Sequence, residues 1–151
     1  MAKEGLFNIL ANRIDFEELT VLDLFAGTGN ISFEFASRGC ARIISVDSNH
    51  RCLRFINDTA EQLEISSIKT IKSNVFHFLK NATQQYNLIF ADPPYDLKGI
   101  ERLPDLVISN GHLNNDGLLI LEHPSQYNFS DHDHFSELRK YGMVHFSFFN
   151  S

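Results

Sequence analysis

The sequence predicts an α/β protein built as a doubly wound, mainly parallel sheet. Three observations carry this. Short apolar runs alternate with segments of helical periodicity over most of the chain. A turn with two glycines, DLFAGTGN (23–30), joins the first strand to the helix that follows. Repeated strand–helix units of this length demand parallel strands with right-handed crossovers.

Each element follows from its own residues. KEGLFNILANR (3–13) and the next residue place Leu6, Ile9, Leu10 and Ile14 at helical spacing, so a helix precedes the first strand. TVLDLF (20–25) is a short buried strand, and residues 30–38 form a helix that Gly39 ends. ARIISVD (41–47) is a second strand. Residues 48–63 carry Leu53, Ile56, Ala60 and Leu63 on one face of a long helix. IKTIKS (68–73) is a third, weaker strand, followed by a helix near 75–82. YNLIFAD (86–92) is a fourth strand, and PPYD breaks the chain sharply after it. Pro104 suits the first turn of a helix running to about Asn110. GLLILEH (117–123) is a fifth strand. FSELRK fits either helix or strand, and the Tyr141-Gly142 turn before VHFSFF favours a hairpin.

Composition sets the frame. At 151 residues, with no internal repeat, low-complexity stretch or linker, residues 1–151 read as one domain. Apolar residues make up 43% and charged residues 21%, enough for one sheet covered by helices. Fourteen Phe and no Trp place the aromatic bulk in the core. No apolar run approaches the roughly 20 residues that span a bilayer, so no membrane partner is expected. The N-terminus lacks the layout of a signal peptide, and a cytoplasmic location is expected. Cys40 and Cys52 form no CxxC and read as packing residues of a reducing compartment. The net charge of −6 sits badly with nucleic-acid binding, which usually needs a basic face.

In an open parallel sheet, ligands bind at the carboxyl ends of strands. Gly27 and Gly29 let the backbone turn tightly and approach a ligand. A mononucleotide P-loop is excluded, because no Lys follows the glycines. A dinucleotide fold is weakened, because the third glycine position holds Ser32. Asp23, inside the turn, suits an ammonium better than a pyrophosphate. S-adenosylmethionine offers an ammonium and a sulfonium. The turn residues Phe25, Ala26, Gly27, Thr28 and Gly29 are therefore candidate cofactor contacts, although Phe25 also fits the core. Asp47, followed by Ser48, ends the second strand about 20 residues on, where a carboxylate can bind ribose hydroxyls. Asn74 and Val75 follow the third strand, where the adenine ring should lie. Asn74 also suits the cap of the helix beginning at Val75.

ADPPY (91–95) is the most specific signal. Two successive prolines remove two NH donors and leave carbonyl oxygens, notably that of Pro93, free to accept. Asp92 adds a carboxylate and Tyr95 a flat aromatic face. An exocyclic base amine is a poor nucleophile, since its lone pair is delocalised into the ring. Gripping its two N–H groups with Asp92 and the Pro93 carbonyl favours a pyramidal nitrogen. Tyr95 can stack on the base, worth roughly 1–3 kcal/mol.

These residues together resemble the amino-methyltransferases that use S-adenosylmethionine, and most closely the bacterial RsmD-type family. The resemblance covers nearly the whole chain, through KEGLFNIL (3–10), VLDLFAGTGNISFEFASRG (21–39), ISVDSN (44–49), SNVFHFL (73–79), FADPPYD (90–96) and ELRKYGMVHFSFF (137–149). It implies a Rossmann-like, seven-stranded class I methyltransferase sheet whose C-terminal hairpin contributes an antiparallel strand. It implies transfer from S-adenosylmethionine, leaving S-adenosylhomocysteine, to guanine N2 of small-subunit (16S) ribosomal RNA. The implied cofactor residues are Asp23, Ala26, Gly27, Gly29, Asp47 and Asn74, with Asp92, Pro93, Pro94 and Tyr95 as the catalytic turn. The family more often has Asp where Asn74 stands. It also opens with a basic, glycine-rich segment before the helix, whereas this sequence starts almost at the helix. That segment is expected to help hold RNA, and its absence would account for part of the acidic balance.

Two other readings stand beside this one. An adenine-N6 methyltransferase often carries a separate target-recognition domain, for which 151 residues are expected to leave no room. A cofactor-binding scaffold in ribosome assembly would not need an intact DPPY. A nicotinamide oxidoreductase is more distant. The ribosomal small subunit or its RNA is the expected partner, and a monomer the expected state. Asp131, His132, Asp133 and His134 read as a solvated loop and not a metal site, because successive side chains rarely converge on one ion. His123 lies at the cleft rim, where a structural role is the simpler reading.

Overall fold

A computed structural model describes residues 1–151. Helix α1 (Ala2–Ala11) precedes strand β1 (Thr20–Leu24). Then follow α2 (Asn30–Ser37), β2 (Arg42–Asp47), α3 (His50–Gln62), β3 (Ile68–Lys72), α4 (Val75–Asn81) and β4 (Tyr86–Ala91). A 3₁₀ turn (Ile100–Arg102) leads into α5 (Leu103–Ile108), with Pro104 in its first turn as expected. The chain ends with β5 (Leu113–His123), β6 (Phe135–Tyr141) and β7 (Val144–Asn150).

The seven strands lie in the order β3-β2-β1-β4-β5-β7-β6. β1 to β5 are mutually parallel, and β7 runs antiparallel to both β5 and β6. This is the doubly wound sheet with a C-terminal hairpin. FSELRK, open between helix and strand, is strand: it forms the sheet's edge, so much of it is exposed. Gly142 makes the turn with φ +62°, a conformation few side chains accept. β5 is longer than the sequence suggests, starting at Leu113. Leu113 pairs with Tyr86, then the register slips before Leu88 meets Leu118, and Asp116 takes φ +63° in the slip.

The sheet has an apolar core on each face. On one, Leu6, Phe7 and Leu10 of α1 and Phe35 of α2 pack on Val21, Phe90, Ile120, Phe146 and Phe148. On the other, α4 and α5 supply Val75, Leu79, Leu103 and Val107 against Leu22, Ile89, Leu119 and Phe149. Full burial of each such side chain contributes roughly 1.5–3 kcal/mol. α1 is pressed so close to the hairpin that a Cβ on Gly5 would lie 2.3 Å from the Tyr141 ring. Arg13, just past α1, pairs with Glu137 of β6. No helix is long and apolar enough to cross a membrane.

Register decides what stands at the sheet's carboxyl edge. Leu24 pairs with Val46 on one side and Ala91 on the other, and Ala91 pairs with Leu121. The next residue of each strand or turn therefore falls into one row: Asp47, Phe25, Asp92, Glu122.

Candidate active site

The glycine turn is built by backbone bonds. Ala26 N–H donates to the Val46 carbonyl at 3.0 Å, and Gly29 N–H to the Ala26 carbonyl at 2.9 Å. Gly27 N–H donates to Asp47 Oδ2 at 2.9 Å, while Asn49 N–H donates to Asp47 Oδ1 at 2.8 Å. The Asp47 carboxylate is thus locked in place at the end of β2. Gly27 has φ +57° with open space where a Cβ would point. Phe25 has φ +59°, an uncommon conformation for a bulky residue and one concentrated at functional sites.

Asp23 is buried beneath this turn. Ser32 Oγ donates to Asp23 Oδ2 at 2.6 Å, and Ser45 Oγ lies 2.6 Å from Ser32 Oγ. With the Ser32 proton committed to Asp23, Ser45 donates to Ser32. The third glycine position is thus filled by a serine that carries a hydroxyl relay to the carboxyl group. Burial pushes Asp23 up to about 7, opposed by the Ser32 bond and reinforced by Asp92 and Asp47.

The glycine turn and the double-proline bend share one crevice of about 450 Å³. Phe25, Gly27, Asp47, Ser48, Asn74 and Val75 line one part, and Asp92, Pro93, Pro94 and Tyr95 another. Asn74 Oδ1 accepts from His77 N–H at 3.1 Å, so it caps α4, and its amide still borders the crevice. Asp23 and Ala26 line a smaller adjoining cavity of about 140 Å³ with Lys3, Asn30, Asp92 and Glu122. Thr28 and Gly29 line neither. Gly29 serves packing: it is buried with φ +90°, and a Cβ there would lie 2.9 Å from Ile56.

In the DPPY bend, the Pro94 carbonyl accepts Leu97 N–H at 3.0 Å, while the Pro93 carbonyl accepts no hydrogen bond. Tyr95 is 45% exposed, its ring available to a partner. Asp92 is reachable by solvent yet crowded by protein, and desolvation raises its carboxyl.

Glu122 is the site residue that sequence reasoning missed. It stands beside Asp92 at the end of β5, half-buried, with the Tyr95 hydroxyl approaching it. Burial and the Asp92 charge push Glu122 up to about 7. The pair therefore holds one proton more readily than either carboxyl would alone. The sequence signal is an acidic residue at a parallel strand's carboxyl end, next to His123 at the cleft rim.

Packing accounts for His123 and both cysteines. His123 is buried, with Nδ1 2.9 Å from the Pro124 carbonyl and Nε2 2.7 Å from Ser147 Oγ. Both ring nitrogens are engaged, as a structural role requires. Cys40 is buried and Cys52 half-buried. Asp131 and Asp133 are exposed, but His132 is held by Asp105 of α5 at 2.8 Å, so this segment is less free than a solvated loop.

The fold and its edge crevice define the class I methyltransferase architecture. The chain belongs to the RsmD-type family described as "Conserved hypothetical protein 95", whose model matches residues 1–150. It is 27% identical over 126 residues to "Ribosomal RNA small subunit methyltransferase D" of Buchnera aphidicola subsp. Baizongia pistaciae, covering 83% of this chain and 64% of that protein. The protein of the same name in Escherichia coli K12 is 28% identical over 120 residues, covering 80% and 60%. The chain thus spans less than two thirds of these relatives' lengths. Among solved structures, Escherichia coli yhhF matches with TM-score 0.87 at 23% identity, over 99% of this chain and 83% of its own. The ribosomal protein L11 methylase of Lactobacillus delbrueckii subsp. bulgaricus matches with TM-score 0.73 at 18% identity, over 97% and 76%. These likenesses show a shared fold.

Proposed function

We propose that this chain transfers a methyl group from S-adenosylmethionine to guanine N2 of small-subunit ribosomal RNA, as a cytoplasmic monomer. The observation that carries the reading is the shared crevice: Asp47 and the glycine turn border it with Asp92 and Tyr95. Its volume of about 450 Å³ fits the usual range for a ligand site. The relatives' names support the RNA substrate, and the RsmD resemblance supports guanine N2.

The residues present fit the cofactor. The fixed Asp47 carboxylate would take the ribose hydroxyls, with Ser48 beside it. Asn74 and Val75 would border the adenine, and the buried Asp23 would favour the ammonium. S-adenosylmethionine, when bound, supplies a methyl group on a sulfonium that departs as S-adenosylhomocysteine.

The chain's own part is to position and polarise the amine. Asp92 and the unengaged Pro93 carbonyl accept its two N–H groups, turning the nitrogen lone pair out of the ring. Tyr95 holds the base by stacking. The new bond is nitrogen to methyl carbon, the broken bond is carbon to sulfur, and sulfur keeps the electron pair. The methylated amine then loses one proton, to Asp92 or to water. Such positioning and preorganised electrostatics lower the barrier without a strong base.

The test is incubation with labelled S-adenosylmethionine and 30S subunits lacking this mark, followed by nucleoside analysis of the 16S RNA. N2-methylguanosine is the expected product, lost in Asp92→Ala. A protein that binds the cofactor but labels neither particles nor their free RNA overturns the reading, as does N6-methyladenosine.

A further inference from the structure

Glu122 lies one strand beyond Asp92, on the side away from the glycine turn, in the row Asp47, Phe25, Asp92, Glu122 set by the strand register. Paired residues of parallel strands point to the same face, and Asp92 and Glu122 each follow the pair Ala91 and Leu121. Two carboxyl groups therefore stand side by side, and the hydroxyl of the exposed Tyr95 approaches the outer one. Above about pH 7 Glu122 has given up its proton, and an ionised carboxylate only accepts hydrogen bonds. A base laid on Tyr95 with its amine at Asp92 brings one of the two ring atoms that flank the amine towards Glu122.

Guanine's amine is flanked by N1–H, a donor, and N3, an acceptor, and only the N1–H edge matches an ionised Glu122. In adenine, the ring nitrogen beside the amine is an acceptor. We propose that Glu122, which borders with Asp92 the smaller cavity adjoining the crevice, accepts guanine N1–H and so makes this site select guanine over bases with an unprotonated nitrogen there. This rests on the crevice being the base-methylating site proposed above. Two donors meeting two acceptors satisfy every polar group, whereas an acceptor facing Glu122 leaves both lone pairs opposed.

The test, run at about pH 8, compares guanine with 2-aminopurine at the methylated nucleotide of 16S RNA, built by splinted ligation and assembled into 30S particles. 2-Aminopurine keeps the 2-amine but replaces N1–H with an acceptor nitrogen. For the wild-type protein, kcat/KM should favour guanine by about 100-fold or more, since a site built around a donor rejects an analogue that lacks it. Glu122→Ala should lower the guanine value by about 100-fold, leave 2-aminopurine nearly unchanged, and bring the ratio within about tenfold. Glu122→Gln keeps an accepting oxygen and should fall between the two. Retained S-adenosylmethionine affinity in Glu122→Gln shows that the variant is folded.

A wild-type ratio in both variants overturns the role of Glu122 while leaving guanine methylation intact. A loss confined to S-adenosylmethionine affinity, with the ratio kept, also overturns it and assigns Glu122 to the cofactor. Wild-type protein that marks no guanine overturns both this role and the functional reading beneath it.

Discussion

Ser32 Oγ donates to Asp23 Oδ2 across 2.6 Å in the buried space between α2 and β1, and it does so from the position where a dinucleotide fold would have its third glycine. The bond ties the floor of the glycine turn to the helix that leaves it. Ser32→Ala would leave a buried carboxyl group without its donor, at a cost of roughly 1–3 kcal/mol. Chemical denaturation should show a lower midpoint with an unchanged slope.

Asp23 makes stability depend on pH in an unusual direction. Its native value of about 7 lies above the ordinary 3.8, so between these the folded state holds more protons than the unfolded one. Stability from this group is fully present below about 4, falls as pH rises towards 7, and is flat above. The loss is at most about 4 kcal/mol for one buried group. Asp23→Asn should raise Tm at pH 8 and flatten the pH profile, while weakening S-adenosylmethionine binding. Equal pH dependence in the two proteins would refute the assignment.

Cofactor binding should release a proton. An ammonium brought to Asp23 favours its ionised form, so at pH 6 the arriving ligand displaces the proton that burial retained. Calorimetry at this pH in buffers of different ionisation enthalpy should give apparent binding enthalpies that differ accordingly. Above about pH 8 the buffer dependence should vanish.

The two glycines of the turn should separate function from folding. Gly27→Ala places its Cβ in open space bordering the crevice, so the strain of φ +57° is its main cost, about 1–2 kcal/mol. The variant should fold yet bind S-adenosylmethionine more weakly. Gly29→Ala adds a contact of 2.9 Å with Ile56 to a φ of +90°, and should lower Tm more than Gly27→Ala does.

Asp92→Ala should reduce kcat by about 100- to 1,000-fold, the usual effect of removing one preorganised contact to the reacting group. For the wild-type protein, kcat/KM for guanine should rise with pH through about 7 as Glu122 gives up its proton. Asp92, Tyr95, Asp23 and Lys3 are the other titratable groups around this space, so the rise belongs to the cluster.

The parallel strands, their helices and the two ligand-facing turns were legible because Gly, Pro and apolar periodicity act locally. Gly39 ends α2, Asn74 caps α4, and the double proline ends β4 whatever surrounds them. β6 was not settled, because an edge strand buries too little to impose a clean alternation on FSELRK. The slip in β5 was hidden too, since it arises from fitting Leu113 and Leu118 to one partner strand. Glu122 is not legible in the sequence, because a charged residue at a strand's end looks the same facing water or facing Asp92. Only the register of β4 against β5 tells them apart.

The contact of Gly5 with Tyr141 has a consequence for how the chain acquires its structure. α1 is made well before its packing partners, since its apolar face rests against Phe146 and Phe148, more than 130 positions further along the chain. During synthesis α1 must wait, undocked, until the hairpin has left the ribosome. Closure across nearly the whole chain should then be a late and slow step, and any truncation that removes β7 should leave the N-terminal helix open to proteases.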